Sequence, residues 1–168
     1  MKELSYFDIG ANLTHESFKK DFDRVIEEAK LNKVKKICIT STSIEDTKNS
    51  LKLTDIDSDL FITTCGIHPH YADTFKTTDI KKIIDLCEQP SIKAIGETGL
   101  DFNRNFSKKN NQISCFLSQI EIAEQLSLPL FMHQRDAHKD FLNCFKEIDL
   151  TVKAVVHCFT GDKKKFYE

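Results

Sequence analysis

The sequence predicts an α/β fold of the (β/α)8 TIM-barrel type, and three observations carry that prediction. Short runs rich in Ile, Val and Phe alternate with segments of helical period. No hairpin signal links neighbouring runs, so each passes to the next through a right-handed crossover and the sheet is mainly parallel. Polar and titratable residues end run after run: Asp8 with Asn12, then Ser41, His68, Glu97, His133 and His157. An open doubly wound sheet is the competing arrangement. The first βα turn carries no GxGxxG, and functional residues spread over many strand ends are a feature of barrels.

The first strand is expected at Tyr6–Ile9, followed by a helix over Ser17–Leu31 that opens on a residue suited to an N-cap. Strand Lys36–Thr40 then leads to helix Ser43–Asp55, and strand Phe61–Gly66 to helix Thr78–Glu88. Strand Ile92–Gly96 precedes the longest helix, Ser107–Leu126. Strand Leu130–His133 precedes helix Ala137–Glu147, and strand Ala154–His157 comes last. Each strand is too short and too β-branched to be a solvated helix.

A chain of 168 residues fits a single domain, expected over residues 1–168, with no linker, internal repeat or low-complexity tract. A full barrel takes about 250 residues and rarely fewer than about 200. The expectation is therefore an incomplete barrel of about six βα units, truncated at the C-terminus with the last strands missing. The segment Gly161–Glu168 reads as the opening turn of a sixth helix.

Composition narrows the function classes. With 40% hydrophobic and 30% charged residues the chain is an ordinary packed protein, and its net charge of −2 argues against retention on nucleic acid by bulk charge. No run of about 18 apolar residues is present to span a bilayer. The six cysteines form no CxxC pair and no signal-like segment opens the chain, so they are read as reduced thiols of a soluble cytoplasmic protein.

Imidazole and carboxylate are the ligands of Zn²⁺, Mn²⁺ and related ions, and carboxylate-rich sites with open water positions also suit Mg²⁺. Glu97, His133 and His157 each follow an apolar run (KAIGE, LPLFMH, VKAVVH), so a barrel would bring them to one rim as metal ligands and catalytic residues. Small neighbours around Glu97 in Gly96-Glu97-Thr98-Gly99 allow close backbone approach. In Gly66-Ile67-His68-Pro69-His70 the proline forces an extended exit that leaves two imidazoles near the rim, and His68 is assigned to substrate. Arg135 and Arg104 are candidates for bidentate phosphate contact, each with a loop ion pair as its alternative. The run Lys163-Lys164-Lys165 is read as a solvated face without a role.

Taken together, FDIGANLT, GIHPH, AIGETGLDFNRNFS, LPLFMHQRDAHKDF and VVHCFTG occur in the order and spacing of one family. The sequence resembles the TatD family of metal-dependent deoxyribonucleases over nearly its whole length, and its TatD branch more than the others. That resemblance implies an amidohydrolase-type barrel that acts as a Mg²⁺-stimulated 3′ to 5′ exonuclease on single-stranded DNA and RNA, with no obligate protein partner. It also matches Glu97, His133 and His157 to metal ligands. Many relatives open with DxHxH, where this chain has Asp8-Ile9-Gly10-Ala11-Asn12, a variant that the TatD branch resembles and that favours Mg²⁺ over Zn²⁺, with Mn²⁺ also admissible. The family's ETDxP motif is absent after His157, so weak or no turnover is expected of this chain. An amidase or lactonase on the same barrel is the enzymatic alternative, favoured by a carboxylated lysine or DxHxH, and neither is visible. A non-enzymatic fragment is the third reading.

Overall fold

The computed structural model describes residues 4–146 and 148–167. Six parallel strands run in the order in which they occur in the chain: β1 (Tyr6–Ala11), β2 (Val34–Ile39), β3 (Phe61–Cys65), β4 (Ile92–Asp101), β5 (Leu130–Arg135) and β6 (Ala154–His157). Strictly sequential neighbours are the order of a (β/α) barrel, whereas a doubly wound sheet reverses direction at a switch point. The sheet is also curled. One cavity of about 290 Å³ is lined by Phe7 and Ile9 of β1, Cys38 of β2, Ile62 and Thr64 of β3, Ala94 of β4, Phe131 of β5 and Val155 of β6. A flat sheet could not bring all six strands to one cavity.

Helices α1 (Phe22–Leu31), α2 (Ile44–Thr54), α3 (Thr77–Leu86), α4 (Lys109–Leu126) and α5 (His138–Asn143) fill the five crossovers, and α6 (Lys163–Phe166) follows β6. α2 begins where the sequence places it, because the Ser43 hydroxyl accepts the Asp46 N–H at 3.1 Å. Two helix starts need correction. Residues Glu16–Phe18 form a separate 3-10 turn and α1 opens at Phe22, because the Ser17 N–H and hydroxyl both engage His15 Nδ1, at 3.2 and 2.8 Å. Ser107 does not cap α4. Its hydroxyl donates to the His70 carbonyl at 2.8 Å and accepts the Asp73 N–H at 3.1 Å, tying the loop after β3 to the start of α4. α5 ends at Asn143, short of the expected helix, and Glu147 lies outside the described residues. Asp162 caps α6 through the Lys165 N–H at 3.0 Å.

The largest correction concerns β4, expected to stop at Gly96 and found to continue to Asp101. The close backbone approach expected around Glu97 is present, but it occurs inside a continuing strand and not at a strand end. A Cβ on Gly96 would lie 2.2 Å from the Phe131 carbonyl oxygen, and one on Gly99 would lie 2.1 Å from that of His133. Both have positive φ, +149° and +130°. The β4–β5 register shifts between Ile95 and Thr98, so the strand bulges at Glu97 and then resumes pairing.

Most of the core lies between the outer face of the sheet and α3, α4 and α5, with Phe116, Ile120, Ile95 and Leu100 fully buried. A smaller cluster of Leu13, Ile26, Ile39 and Phe61 anchors α1 to β2 and β3. Two glutamines on α4 fasten the strand ends that carry the site. Gln112 Oε1 accepts the Asp101 N–H at 2.9 Å, while its Nε2 donates to the Asp101 carbonyl at 3.1 Å. Gln119 grips the backbone of Ile67 in the same way, at 2.8 and 3.0 Å. Each amide completes a pair of backbone hydrogen bonds where the sheet ladder ends.

Candidate metal centre

In-register pairing sets Gly99, His133 and His157 side by side across β4, β5 and β6. Residues in one such row point to the same face of the sheet. Glu97 and Asp101 stand two positions either side of Gly99 and share that face. Gly99 has no side chain, so the His133 ring sits between the two carboxylates. Its Nδ1 lies 2.9 Å from Glu97 Oε1 and its Nε2 lies 3.2 Å from Asp101 Oδ2.

Glu97 Oε1 is the focus of the site. His157 Nε2 approaches it at 2.5 Å, and His68 Nε2 at 3.4 Å. A carboxylate oxygen has two lone pairs, so three imidazole nitrogens around one oxygen exceed what hydrogen bonding alone would gather. Ligand atoms of His68, Glu97 and His133 all lie within 4.8 Å of one another, and all three residues are buried. One carboxylate and several imidazoles at this spacing form a donor set that fits a divalent ion, whose ligands stand about 2.0–2.2 Å from it.

Electrostatics agree with the geometry. Burial pushes Glu97 upward, but donation from His133, His157 and His68 overrides it and holds the group well below the usual carboxylate range. Burial likewise pushes Asp101 upward. The Arg104 and Asn103 N–H groups, each at 3.0 Å from Oδ1, and His70 Nε2, 2.8 Å from Oδ2, bring it down to about 2. Desolvation lowers the His68 imidazole against the upward pull of Glu97.

The tautomer of His68 follows from its hydrogen bonds. Nδ1 accepts the His70 N–H at 3.1 Å, so in the neutral ring Nε2 carries the proton and presents it to Glu97. Distance groups His68 with Glu97 and His133, whereas its engaged Nδ1 leaves Nε2 as a donor. His157 differs: its ring stacks on Phe131 at 4.7 Å and 26°, its Nε2 faces Glu97, and it is half-exposed. Its place on β6, beside His133, brings it to the site from 60 residues away.

The two arginines lie apart from this cluster. Arg104 is exposed, in the turn whose backbone Asp101 caps, and Arg135 ends β5 opposite Asp101. Neither guanidinium makes an ion pair among the described residues, and neither lines the cleft of about 580 Å³ beside Glu97. That cleft is bordered by Asn12, Thr14, His15, His68, His70 and Tyr71. Gly10 lies where DxHxH would place a first histidine, and a Cβ there would meet the Phe131 ring at 3.1 Å. Phe131 occupies the space that such a histidine would need.

Asp101, Gln112 and Gln119 are the partners of the site that the sequence reading left unassigned, and His70, expected as a rim imidazole, meets Asp101 Oδ2 at 2.8 Å. The Asp ending GETGLD was a visible signal once the strand is known to continue. The glutamines gave none, because polar residues on a helix read as solvent-facing.

A family model described as TatD related DNase matches residues 7–168. Curated proteins named "3′-5′ ssDNA/RNA exonuclease TatD" are similar over most of the chain. That from Shigella flexneri is 41% identical over 160 residues, covering 95% of this chain and 61% of the relative. Those from Salmonella typhimurium and Escherichia coli K12 are 42% and 41% identical, with the same coverage. The chain thus spans about 61% of the length of these relatives. A hydrolase TatD family protein from Entamoeba histolytica superposes with a TM-score of 0.88 at 30% identity, over 97% of this chain and 61% of that one. An uncharacterized amidohydrolase from Saccharomyces cerevisiae gives 0.86 at 26%, over 98% and 64%.

Proposed function

The chain belongs to the TatD-related DNase family, and on that premise we propose that its residues 1–168 form one metal-dependent phosphodiesterase domain, a 3′ to 5′ exonuclease acting on single-stranded DNA and RNA. The observation that carries the reading is the convergence of His133 and His157 on a single oxygen of Glu97. We assign Glu97, His133 and His157 as the ligands and the catalytic core, with Mg²⁺ as the ion and Mn²⁺ or Zn²⁺ as substitutes. The bound ion would supply Lewis-acid activation of water and stabilisation of phosphoryl charge.

The protein's own groups prepare that chemistry. Asp101 orients His133 through Nε2, as a carboxylate behind an imidazole does at many metal sites, and Gln112 fixes the Asp101 backbone. His68 offers its Nε2 proton at the cleft wall, where it holds a non-bridging phosphoryl oxygen. Arg104 and Arg135, free of ion pairs among the described residues, receive phosphates farther along the strand. Six unpaired thiols and the absence of any described helix long and apolar enough to cross a membrane support a cytoplasmic setting.

The test uses single-stranded DNA labelled at its 3′ end. Mg²⁺ should cause release of the labelled 3′ nucleotide, slow in keeping with the missing ETDxP motif, and abolished by EDTA and by Glu97→Gln. Release that persists in the Glu97→Gln variant, or in EDTA, would refute the assignment.

A further inference from the structure

The cleft beside Glu97 continues into a second groove. Thr14 and His15 line both, forming a shared wall in the loop after β1. The groove, about 490 Å³, runs between that loop and α2. Its floor is apolar, made by Phe18, Phe22 and Leu53, and its rim carries Lys19, Lys52 and Asn49. Phe22 is backed by Phe61 at 6.3 Å between ring centroids, so the floor rests on core. A volume of this order suits an organic ligand of nucleotide size.

Charge changes sign along this path. The cleft carries three carboxylates, Glu16, Asp46 and Glu97, so a phosphate there faces like charge unless a cation offsets it. The groove brings its own positive charge: both lysines are exposed and neither makes an ion pair among the described residues. Lys52 Nζ donates to Asn49 Oδ1 at 3.0 Å, which holds it over the rim. Aromatic floor and cationic rim together are the chemistry that binds single-stranded nucleic acid, with bases stacked and phosphates neutralised.

Resting on the nuclease reading, we propose that this groove seats the nucleotide that follows the scissile phosphate on its 5′ side. Its base lies on Phe18 and Phe22, and Lys19 and Lys52 hold the flanking phosphates. The groove is thus what distinguishes a strand from a mononucleotide ester.

The probe is fluorescein-labelled dT8, titrated by anisotropy in EDTA so that no hydrolysis occurs. At about 0.1 M salt each lost single-strand phosphate contact costs about 5-fold in affinity, so Lys19→Ala/Lys52→Ala should bind about 25-fold more weakly, with a salt slope smaller by about 1.4. Phe18→Leu keeps the apolar packing but removes the ring, and should weaken dT8 at least about 5-fold while leaving an abasic octamer unchanged. Unchanged affinity and slope in the double lysine variant would overturn the proposal. So would equal weakening of dT8 and the abasic strand by Phe18→Leu, or displacement of dT8 by octaglutamate at equal concentration. A failure of the nuclease reading appears elsewhere, as absence of Mg²⁺-dependent cleavage of dT8 by the unaltered protein.

Discussion

Replacing Asp101 by Asn probes the electrostatic frame behind the proposed ligands. The side chain is fully buried, and its two oxygens accept the Asn103 and Arg104 N–H groups and face His70 and His133 nitrogens. An amide keeps one oxygen acceptor and loses the negative charge, so the Asn103 and Arg104 N–H groups and the two imidazoles no longer all face a carboxylate. Folding lowers the carboxyl from 3.8 to about 2, and at 1.36 kcal/mol per unit that is worth about 2.5 kcal/mol at pH 7. Because the folded value is the depressed one, this stabilisation is complete above the unfolded value and is lost as pH falls through the folded one. At pH 3 about 1.3 kcal/mol should remain. Urea unfolding in EDTA, comparing Asp101→Asn with the parent at pH 7 and pH 3, should show the gap falling by roughly half. A gap that is equal at both pH values, or below about 1 kcal/mol at pH 7, would refute the argument.

Gly99→Ala places a methyl 2.1 Å from the His133 carbonyl at a φ of +130°. The strands must part, so a loss above about 4 kcal/mol is expected, and a melting temperature within about 3 °C of the parent would contradict this. Gln112→Leu leaves the Asp101 N–H and the carbonyls of Asp101 and Ser107 unpaired in the interior. About 3 kcal/mol, read by calorimetry as a fall of about 6–12 °C, follows from the desolvation of those groups, and a fall under 2 °C would show that the clamp is dispensable. Saturating Mn²⁺ at about 100 times its Kd should stabilise the folded chain by about 2.7 kcal/mol, and an equal melting shift in Glu97→Gln would exclude this site as its source.

All six strands were legible because a buried parallel strand must be a nearly continuous apolar run, and Glu97, His133 and His157 each stand directly after one. The crossovers gave the parallel sheet, and polar residues ending strand after strand, with no GxGxxG, gave the barrel order. What stayed hidden depends on contacts between distant backbones. Close approach at Gly96 and Gly99 was legible, but local propensity cannot reveal the Phe131 and His133 carbonyls pressed against them, and ending the strand at Gly96 concealed Asp101. Gln112 and Gln119 gave no signal, because nothing local tells a helix amide that binds backbone from one that binds water. Arg104 and Arg135 were legible as cations near strand ends, yet their side chains do not line the cleft beside Glu97.

The imidazoles are proposed to divide by role, His133 and His157 as ligands with Glu97 and His68 as a proton-bearing contact for substrate. Calorimetric titration of Mn²⁺ into the parent, Glu97→Gln, His133→Ala, His157→Ala and His68→Ala tests it most directly. Loss of more than about 100-fold in affinity is expected for the first three variants, and a change of only a few-fold for His68→Ala. Loss of binding in His68→Ala with full binding in His157→Ala would contradict it.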